Sequence, residues 1–330
     1  MTLNFAILGA GRIGRVHAKA VYENRQASLV AVCDAIPDAA DAVVRDFGGQ
    51  VSSIDAVADD PDVNAVIICT PTDTHAPLIE RFARSGKAIF CEKPIDLDIG
   101  RVKSCLSVVQ DTNAALMVGF NRRFDPNFIA LKQSIDEGHI GAVEQLTITS
   151  RDPGLPPAGY IKASGGIFRD MTIHDFDMAR FLLNEEIASV FATASALVDP
   201  SLRDLGDFDT ATIVMTTQTG KQATIQNSRR ATYGYDQRIE VHGAKGMIQA
   251  ENHRPVAIEL ATGAGFTRPP LHDFFMTRYV AAYAAELTAF IDTLVSGGSL
   301  TPSGEDGLAA LRLAEAAEES VRSGKRTLLT

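Results

Sequence analysis

The sequence lacks long apolar runs, paired-cysteine motifs and the features of an export signal. Its apolar runs fall well short of the ~18 residues that cross a bilayer. The N-terminus, MTLNFAILGAG, has neither a basic region nor the long apolar core of a signal peptide. The four cysteines, Cys33, Cys69, Cys91 and Cys105, form no CxxC pair. We therefore expect a cytoplasmic protein with reduced cysteines and no membrane partner.

An excess of positive charge and a metal-binding histidine pattern are also missing. The formal net charge of −10 argues against nucleic acid as a partner. The seven histidines form no HxxxH pattern, which is the spacing that places two imidazoles on one helix face. We therefore expect no bound metal, and the charge says little about a small substrate.

The first 120 residues alternate short apolar strands with helical patterns. The predicted strands are 4–8, 28–34, 64–70, 87–92 and 114–120, and the predicted helices are 13–24, 37–47, 74–85 and 98–111. Continuous apolar strands separated by helices indicate a parallel sheet that is covered on both faces. Right-handed crossovers then give a doubly wound Rossmann sheet, so residues 1–121 are expected to form one α/β domain.

The pattern changes after residue 121 and predicts a second domain, 122–330, of the α+β class. A helix at 126–137 and a strand at 142–150 precede a Gly- and Pro-rich loop at 152–166 and a helix at 165–183. The later predicted strands are 187–197, 208–217, 221–229, 236–242, 246–250 and 256–260, followed by helices at 277–296 and 303–323. Consecutive strands with short turns predict an antiparallel meander in a large open sheet.

A glycine loop lies between the first predicted strand and the first helix. Residues 9–14 read GAGRIG, which matches the GxGxxG pattern in its expected context. Gly9 permits a tight turn, Gly11 lets the backbone approach a pyrophosphate, and Gly14 lets helix and strand pack closely. Arg12 and Ile13 open the helix, whose free N–H groups attract phosphate. These residues predict a dinucleotide site, although a purely structural glycine turn has the same pattern.

An acid at the end of the second strand predicts which dinucleotide binds. Asp34 lies 20 residues after Gly14, where a carboxylate accepts hydrogen bonds from the ribose hydroxyls of NAD. The same carboxylate would repel the 2′-phosphate of NADP, and no Arg or Lys in CDAIPDAA (33–40) compensates. Arg12 could swing towards such a phosphate. We therefore predict NAD as the cofactor, with NADP disfavoured.

Two further strand ends carry polar residues. Thr70 and Pro71 fall at the carboxyl end of a parallel strand, where ligands bind in such sheets. His75 follows them, and histidine at such a position is more often structural. Lys93 follows the next strand, and the proline after it favours an extended conformation that could aim the lysine into the cleft. A solvated lysine is the alternative.

The predicted helix at 165–183 carries three titratable groups on one stripe. Asp170, His174 and Asp177 stand at spacings of four and three, which stack side chains on one helix face. A surface ion pair would explain Asp170 and His174 alone. The three groups could also ligate a cation, but His174 would then be unable to act as a base. We interpret Asp177 as a solvated residue rather than a substrate contact.

The run Glu92-Lys93-Pro94 behind the glycine loop, with Asp170-xxx-His174 in a second α+β region, resembles the glucose–fructose oxidoreductase and inositol dehydrogenase (Gfo/Idh/MocA) family. The resemblance covers essentially the whole chain. The runs GGIFRDMTIHDFDMARFL (165–182), GFNRRFD (119–125) and YGYD (233–236) are similar to its inositol 2-dehydrogenase branch in particular. The segment 152–166, where such enzymes contact substrate, gives no position-by-position match.

The resemblance implies a two-domain NAD-dependent dehydrogenase whose substrate lies between the nicotinamide and the sheet of the second domain. It implies Lys93, Asp170 and His174 as the catalytic group, which also contacts the substrate, and it suggests Arg122 and Tyr233 as further substrate contacts. Besides the glycine loop and Asp34, the expected cofactor contacts are Thr70, Pro71, His75, Glu92 and Lys93. The family also commonly forms homotetramers through the open sheets of the second domain.

The chemistry of alcohol oxidation fits these residues. The reaction needs a base with a pKa near neutrality, which favours histidine. Asp170 could orient His174 and stabilise its imidazolium, while Lys93 hydrogen-bonds the substrate oxygen. Lys93 could instead be the base, with His174 as its relay. Together with this chemistry, the resemblance to the inositol 2-dehydrogenase branch implies oxidation of a cyclic polyol, myo- or scyllo-inositol, to an inosose; the alternatives are an aldopyranose dehydrogenase and a non-catalytic dinucleotide sensor.

Overall fold

The apolar runs of the sequence become the strands of two main sheets. The computed structural model describes residues 2–329 of the chain. The strands are β1 (Leu3–Leu8), β2 (Ala27–Cys33), β3 (Gln50–Val51), β4 (Ala65–Ile68), β5 (Ala88–Glu92), β6 (Leu116–Gly119), β7 (Val143–Arg151), β8 (Ile187–Ser195), β9 (Thr210–Thr217), β10 (Gln222–Ser228), β11 (Asp236–Gly243), β12 (Gly246–Ala250), β13 (Leu260–Thr262), β14 (Gly265–Thr267) and β15 (Thr327–Leu328).

The helices alternate with the strands in the first part of the chain and close it at the end. They are α1 (Arg12–Glu23), α2 (Pro37–Phe47), α3 (Ile54–Asp59), α4 (His75–Arg84), α5 (Ile99–Asp111), α6 (Pro126–Asp136), α7 (Ala158–Ala163), α8 (Ile173–Leu183), α9 (Phe275–Arg278), α10 (Val280–Ser296) and α11 (Gly304–Ser323). In the part of the chain that the structure describes, no helix is both long enough and apolar enough to cross a membrane.

The chain divides into two compact units whose boundary differs slightly from the predicted one. The first unit runs to Asp125 rather than to residue 121, and it also contains Val280–Leu311. The second unit contains Pro126–Tyr279 and the chain from Arg312 onward. At the same point, the predicted helix at 277–296 is interrupted: Tyr279 separates α9 from α10. Sequence periodicity could not assign α10 to the first unit, because its packing partners are distant in the chain.

The first unit has the predicted doubly wound architecture. Among the described residues, its sheet has the parallel strand order β3-β2-β1-β4-β5-β6. The core joins Phe5, Ile67 and Phe90 of the sheet to Leu287 and Phe290 of α10, all of them almost completely buried. The order reverses between β1 and β4, so the turns after these two strands meet at one edge of the sheet.

The second unit contains a mixed sheet in the order β12-β11-β7-β10-β9-β8-β15. Most neighbours are antiparallel as predicted, but β7 inserts between β10 and β11 and pairs with β10 in parallel. The simple meander is therefore interrupted, because β7 precedes the crossover through α8. The predicted strand at 256–260 does not form as such; the exposed segment pairs only at its end, as β13 with β14.

The loop predicted at 152–166 is partly helical, and the helix predicted from 165 begins differently. The short helix α7 lies within that loop. Residues Phe168–Thr172 form a π-helical turn, and the α-helix proper, α8, starts at Ile173. A π turn adds one residue to a helical repeat and is frequent at functional sites. It changes the angular offset between residue 170 and the residues of α8.

The turn between β1 and α1 depends on glycine at two positions. Gly9 has a φ of +95°, and a Cβ atom there would lie 2.6 Å from the carbonyl oxygen of Cys69. A Cβ on Gly14 would lie 1.9 Å from the carbonyl oxygen of Gly9, so only glycine lets α1 approach the turn. By contrast, the Cβ position of Gly11 faces open space, with nothing within 4 Å.

These distances predict a large difference between two single-methyl substitutions. Gly14→Ala should displace α1 from β1 and lower the thermal midpoint by several degrees or prevent folding, since backbone clashes of this size cost on the order of 2 kcal/mol or more. Gly11→Ala should fold like the parent, because its methyl meets no atom. Thermal unfolding followed by circular dichroism measures both. Equal midpoints for the two variants would contradict this account of the turn.

Candidate functional site

The carboxylate of Asp34 lies against the glycine loop, as its position at the end of β2 predicts. Its Oδ2 accepts a hydrogen bond from the backbone N–H of Ala10 at 2.5 Å, and its Oδ1 accepts one from Ile36 at 2.7 Å. The open space beside Gly11, the N-terminus of α1 and this acid thus occupy one edge of the first unit. A dinucleotide fits this arrangement, because the loop offers N–H groups to phosphate and Asp34 an acceptor to ribose.

A buried histidine joins the ends of β4 and β5. His75 is 2% exposed, and its Nε2 lies 2.7 Å from the carbonyl oxygen of Thr70. Its Nδ1 lies 2.8 Å from the carbonyl oxygen of Pro94, the residue after Lys93. Because both ring nitrogens face backbone oxygens, His75 would influence a cofactor by positioning these two turns. Its direct contact with a cofactor remains a prediction, as it does for Thr70 and Pro71.

Glu92 has a buried partner that the sequence analysis missed. Nε2 of His17, on α1, lies 2.7 Å from Oε1 of Glu92, and the side chains are 1% and 13% exposed, respectively. Lys93 is half-buried beside it, at a cis peptide bond to Pro94. The contact with His17 ties Glu92, the last residue of β5, to α1. The sequence offers one indication of this contact: His17 falls among the apolar residues on the buried face of α1.

In the second unit, the π-helical turn presents Asp170 to two donors that the sequence analysis did not predict. The hydroxyl of Tyr160, on α7, donates a hydrogen bond to Oδ1 of Asp170 at 2.7 Å. The guanidinium of Arg229 donates from Nη2 to Oδ2 at 3.2 Å. The Arg229 side chain is only 1% exposed, whereas Asp170 keeps 13% of its side-chain surface. The carboxylate is therefore held by a different residue at each oxygen.

Helix α8 presents His174 half-buried and turns its acids inward. Asp175 is fully buried and accepts hydrogen bonds from the Ser150 hydroxyl at 2.6 Å and from the Asn227 amide at 2.8 Å. Asp177 is also completely buried. The interpretation of Asp177 as a solvated residue is therefore wrong, because its side chain has no access to water.

The two predicted substrate contacts fall in different units. Arg122 lies in a 3-10 turn of the first unit, Asn121–Phe124, and is 5% exposed. Tyr233 lies in the second unit and is half-exposed. Its hydroxyl donates to Oδ2 of Asp236 at 2.6 Å and accepts from Nη1 of Arg151 at 2.9 Å. Contacts of Arg122 and Tyr233 with a substrate remain predictions.

The buried cysteines are chemically quiet. All four are free, and burial raises the pKa of the Cys33 thiol to about 11. Burial, with help from the charge of Glu80, raises the pKa of the Cys105 thiol to about 12. These thiols remain protonated at neutral pH and do not act as nucleophiles. Within residues 2–329, no three His, Cys, Asp or Glu side chains are grouped to hold a metal ion.

The arrangement supplies the elements of a nicotinamide-dependent oxidoreductase. One unit offers a phosphate cradle, an acid for ribose and a lysine at a strand end. The other offers a histidine with a carboxylate one turn before it. Groups of these kinds can bind a dinucleotide and transfer a proton.

Comparison with known proteins agrees with this chemistry. The model of an oxidoreductase family with an NAD-binding Rossmann fold matches residues 3–120, and the GFO/IDH/MocA C-terminal domain matches residues 128–249. The inositol 2-dehydrogenase of Rhizobium meliloti (strain 1021) is 66% identical over 321 residues, which cover 97% of each chain.

Solved structures are similar over the whole chain. A myo-inositol dehydrogenase from Corynebacterium glutamicum has a TM-score of 0.97 at 41% identity, covering 100% of this chain and 99% of that one. A scyllo-inositol dehydrogenase from Lactobacillus casei, solved with bound NAD(H) and scyllo-inositol, has a TM-score of 0.93 at 29% identity and covers 99% of both chains. By sequence motif, domain match and fold, this chain belongs to the GFO/IDH/MocA family of oxidoreductases with an NAD-binding Rossmann fold.

Proposed function

We propose that the chain oxidises a secondary hydroxyl of a cyclic polyol, myo- or scyllo-inositol, to the corresponding inosose with NAD. The observation that carries the proposal is the 66% identity over 97% of the chain to an inositol 2-dehydrogenase. The chain also carries Lys93, Asp170 and His174, and a non-catalytic dinucleotide sensor would not need such a set.

The proposed roles follow from the reaction. NAD, when bound, supplies the hydride acceptor. His174 accepts the hydroxyl proton, since imidazole titrates near neutral pH. Asp170 orients His174 and stabilises its positive charge. Lys93 donates a hydrogen bond to the substrate oxygen and stabilises negative charge developing on it. The reverse assignment, with Lys93 as the base and His174 as its relay, uses the same three residues.

The preference for NAD over NADP is a further part of the proposal, and Asp34 is its proposed cause. The carboxylate already accepts hydrogen bonds from two backbone N–H groups, which hold it at the end of β2. A fixed anion strengthens hydrogen bonds from ribose hydroxyls and repels a ribose phosphate.

We also propose a cytoplasmic homotetramer that assembles through the open sheet of the second unit. Strand alternation leaves one face of this sheet without a covering helix of the unit, and Phe191 and Val214 are 37% and 38% exposed there. Exposed apolar side chains on a polar sheet face are typical of an interface. Sedimentation equilibrium tests the assembly; a stable monomer at micromolar concentration would exclude it.

A polyol panel tests the proposed function. With NAD, absorbance at 340 nm should rise on addition of myo- or scyllo-inositol, and kcat/KM for the best inositol should exceed that for any aldopyranose by at least ~10-fold, which is ~1.4 kcal/mol of transition-state binding. The panel includes D-chiro-inositol and lactate as controls. A clear preference for an aldopyranose would favour the alternative substrate class, and activity on no polyol at all would support the sensor interpretation.

Substitution of the proposed catalytic residues tests their roles. His174→Ala and Lys93→Ala should each lower kcat at least ~100-fold, the lower end of general acid–base contributions, with NAD affinity nearly unchanged. The matched controls are His139→Ala and Lys103→Ala, both at exposed positions, which should keep the parental kcat. Steady-state kinetics and NAD titration by fluorescence provide the measurements. Parental turnover in either active-site variant would remove that residue from the mechanism.

The cofactor preference provides a separate test. The parent should favour NAD over NADP by at least ~10-fold in kcat/KM, which corresponds to ~1.4 kcal/mol. Asp34→Ser keeps an oxygen that can accept the Ala10 N–H bond but loses the charge, so the ratio should move towards NADP. Asp38→Ser, an exposed acid at the start of α2, is the control and should leave the ratio unchanged. An unchanged ratio in Asp34→Ser would sink this explanation.

A further inference from the structure

We propose that Arg229 is a positioning residue for Asp170: its buried guanidinium fixes the carboxylate and balances its charge, which leaves His174 able to accept a proton at neutral pH. The inference rests on the proposed function for the roles of Asp170 and His174. It adds a residue outside every motif used above, in the run RRATYGY (229–235) that connects β10 and β11.

The burial of Arg229 is the first observation. It is among the largest fully buried side chains of the described residues. Its backbone N–H donates to the carbonyl oxygen of Asp209 at 2.8 Å, which fixes the chain just beyond β10. Nη2 bonds Asp170, and Nε has no hydrogen-bond partner among residues 2–329. A buried cation is strongly unfavourable without a paired anion. The contact with Asp170 therefore supplies the buried guanidinium of Arg229 with an acidic partner.

The second observation is the division of the Asp170 carboxylate between two donors. Arg229 holds Oδ2 from the protein interior, and Tyr160 holds Oδ1 from the half-exposed helix α7. Two donors from separate segments fix both the position and the plane of a carboxylate. Tyr160 is neutral, so Arg229 alone of the two changes the charge near His174.

Several other charged side chains of this region have partners of their own. Arg169 is bonded to Glu318 and lies near Glu315 of α11, Asp175 is bonded to Ser150 and Asn227, and Asp207 accepts from the backbone N–H of Ile167. Asp177 is buried on α8. Arg229 supplies a buried cation that contacts Asp170 within the second unit.

The consequence concerns the base. A carboxylate near an imidazole stabilises its charged form, and an uncompensated carboxylate would keep His174 protonated to higher pH. Arg229 offsets that effect, so the aspartate orients His174 without raising its proton affinity too far. Removal of the positive charge should shift the pH at which His174 becomes an active base upwards.

Three full-length variants test the proposal. Arg229→Met removes the charge while keeping much of the side-chain volume, Arg229→Lys keeps the charge, and Tyr160→Phe removes the neutral donor. Arg180→Met is the matched control. Arg180 lies on α8, as His174 does, but near the far end of the helix, where it pairs with Glu186. The pH profile of kcat/KM for the best polyol is the primary readout.

The acidic limb of the profile should move up by about one pH unit in Arg229→Met, the lower end of the effect of a nearby charge. It should stay within about 0.3 units in Arg229→Lys, Tyr160→Phe and Arg180→Met. A folded Arg229→Met enzyme with the parental profile overturns the proposal. If Arg229→Met does not fold, Arg229→Gln, which also lacks the positive charge, takes its place, and a folded Arg229→Gln enzyme with the parental profile overturns the proposal.

A substrate-free measurement separates this proposal from the proposed function. The His174 resonance in histidine-labelled protein, assigned by its loss in His174→Asn, should titrate at higher pH in Arg229→Met than in the parent. That shift would support the role of Arg229 even if no inositol were oxidised. The opposite outcome is a parent that oxidises inositol while the His174 titration is the same in Arg229→Met as in the parent. That result would overturn the role of Arg229 and leave the enzyme assignment intact.

Discussion

A buried acid needs its hydrogen bonds inside the protein, and this constraint sets the orientation of helix α8. Asp175 has no access to water, and the Ser150 hydroxyl of β7 and the Asn227 amide of β10 satisfy its oxygens. Thr172 extends the network by donating to Asn227 at 2.6 Å. With Asp175 fixed against the sheet, the 100° step of the α-helix leaves His174 at the side of α8, half-buried. The rotation of the proposed base is thus determined by its neighbour.

Much of the first unit could be predicted from the sequence because its rules are local. The glycine pattern requires close backbone approach at Gly9 and Gly14, and the structure has those contacts. Asp34 directly follows β2, as its distance of 20 residues from Gly14 predicts. The position of α10 could not be predicted, because Leu287 and Phe290 pack on residues of β1 and β5 that lie roughly 200 to 285 positions earlier in the chain.

The second unit shows the opposite balance. The alternation of apolar and polar residues predicts most of its strands. The parallel pairing of β7 with β10, however, depends on a crossover connection that no local sequence pattern indicates. The helical spacing of Asp170 and His174 was read as α-helical, whereas Asp170 lies in a π turn. The partners of Asp170 come from residues 160 and 229, which are separated from it along the chain by a loop and by three strands. Periodicity identifies such a residue but not its neighbours.

The two units use different electrostatic solutions behind their proposed catalytic side chains. Behind Asp170 stands a buried cation, Arg229. Beside Lys93 stands Glu92, which faces His17, and near it lies Glu286 of α10, whose two oxygens have no hydrogen-bond partner among the described residues. Burial, together with the charge of Glu92, raises the pKa of Glu286 well above its ordinary value.

The raised pKa of Glu286 has a consequence for Glu92. Two ionised carboxylates in the same interior would repel each other, and a raised pKa favours the neutral form of Glu286, which does not repel Glu92. Glu92 can then remain an acceptor for His17, which anchors the end of β5 to α1. The lysine that follows is held by two buried contacts, Glu92–His17 on one side and Pro94–His75 on the other. In both units, therefore, the side chain proposed to react is half-buried, while His17, His75 and Asp175 beside it are almost wholly removed from water.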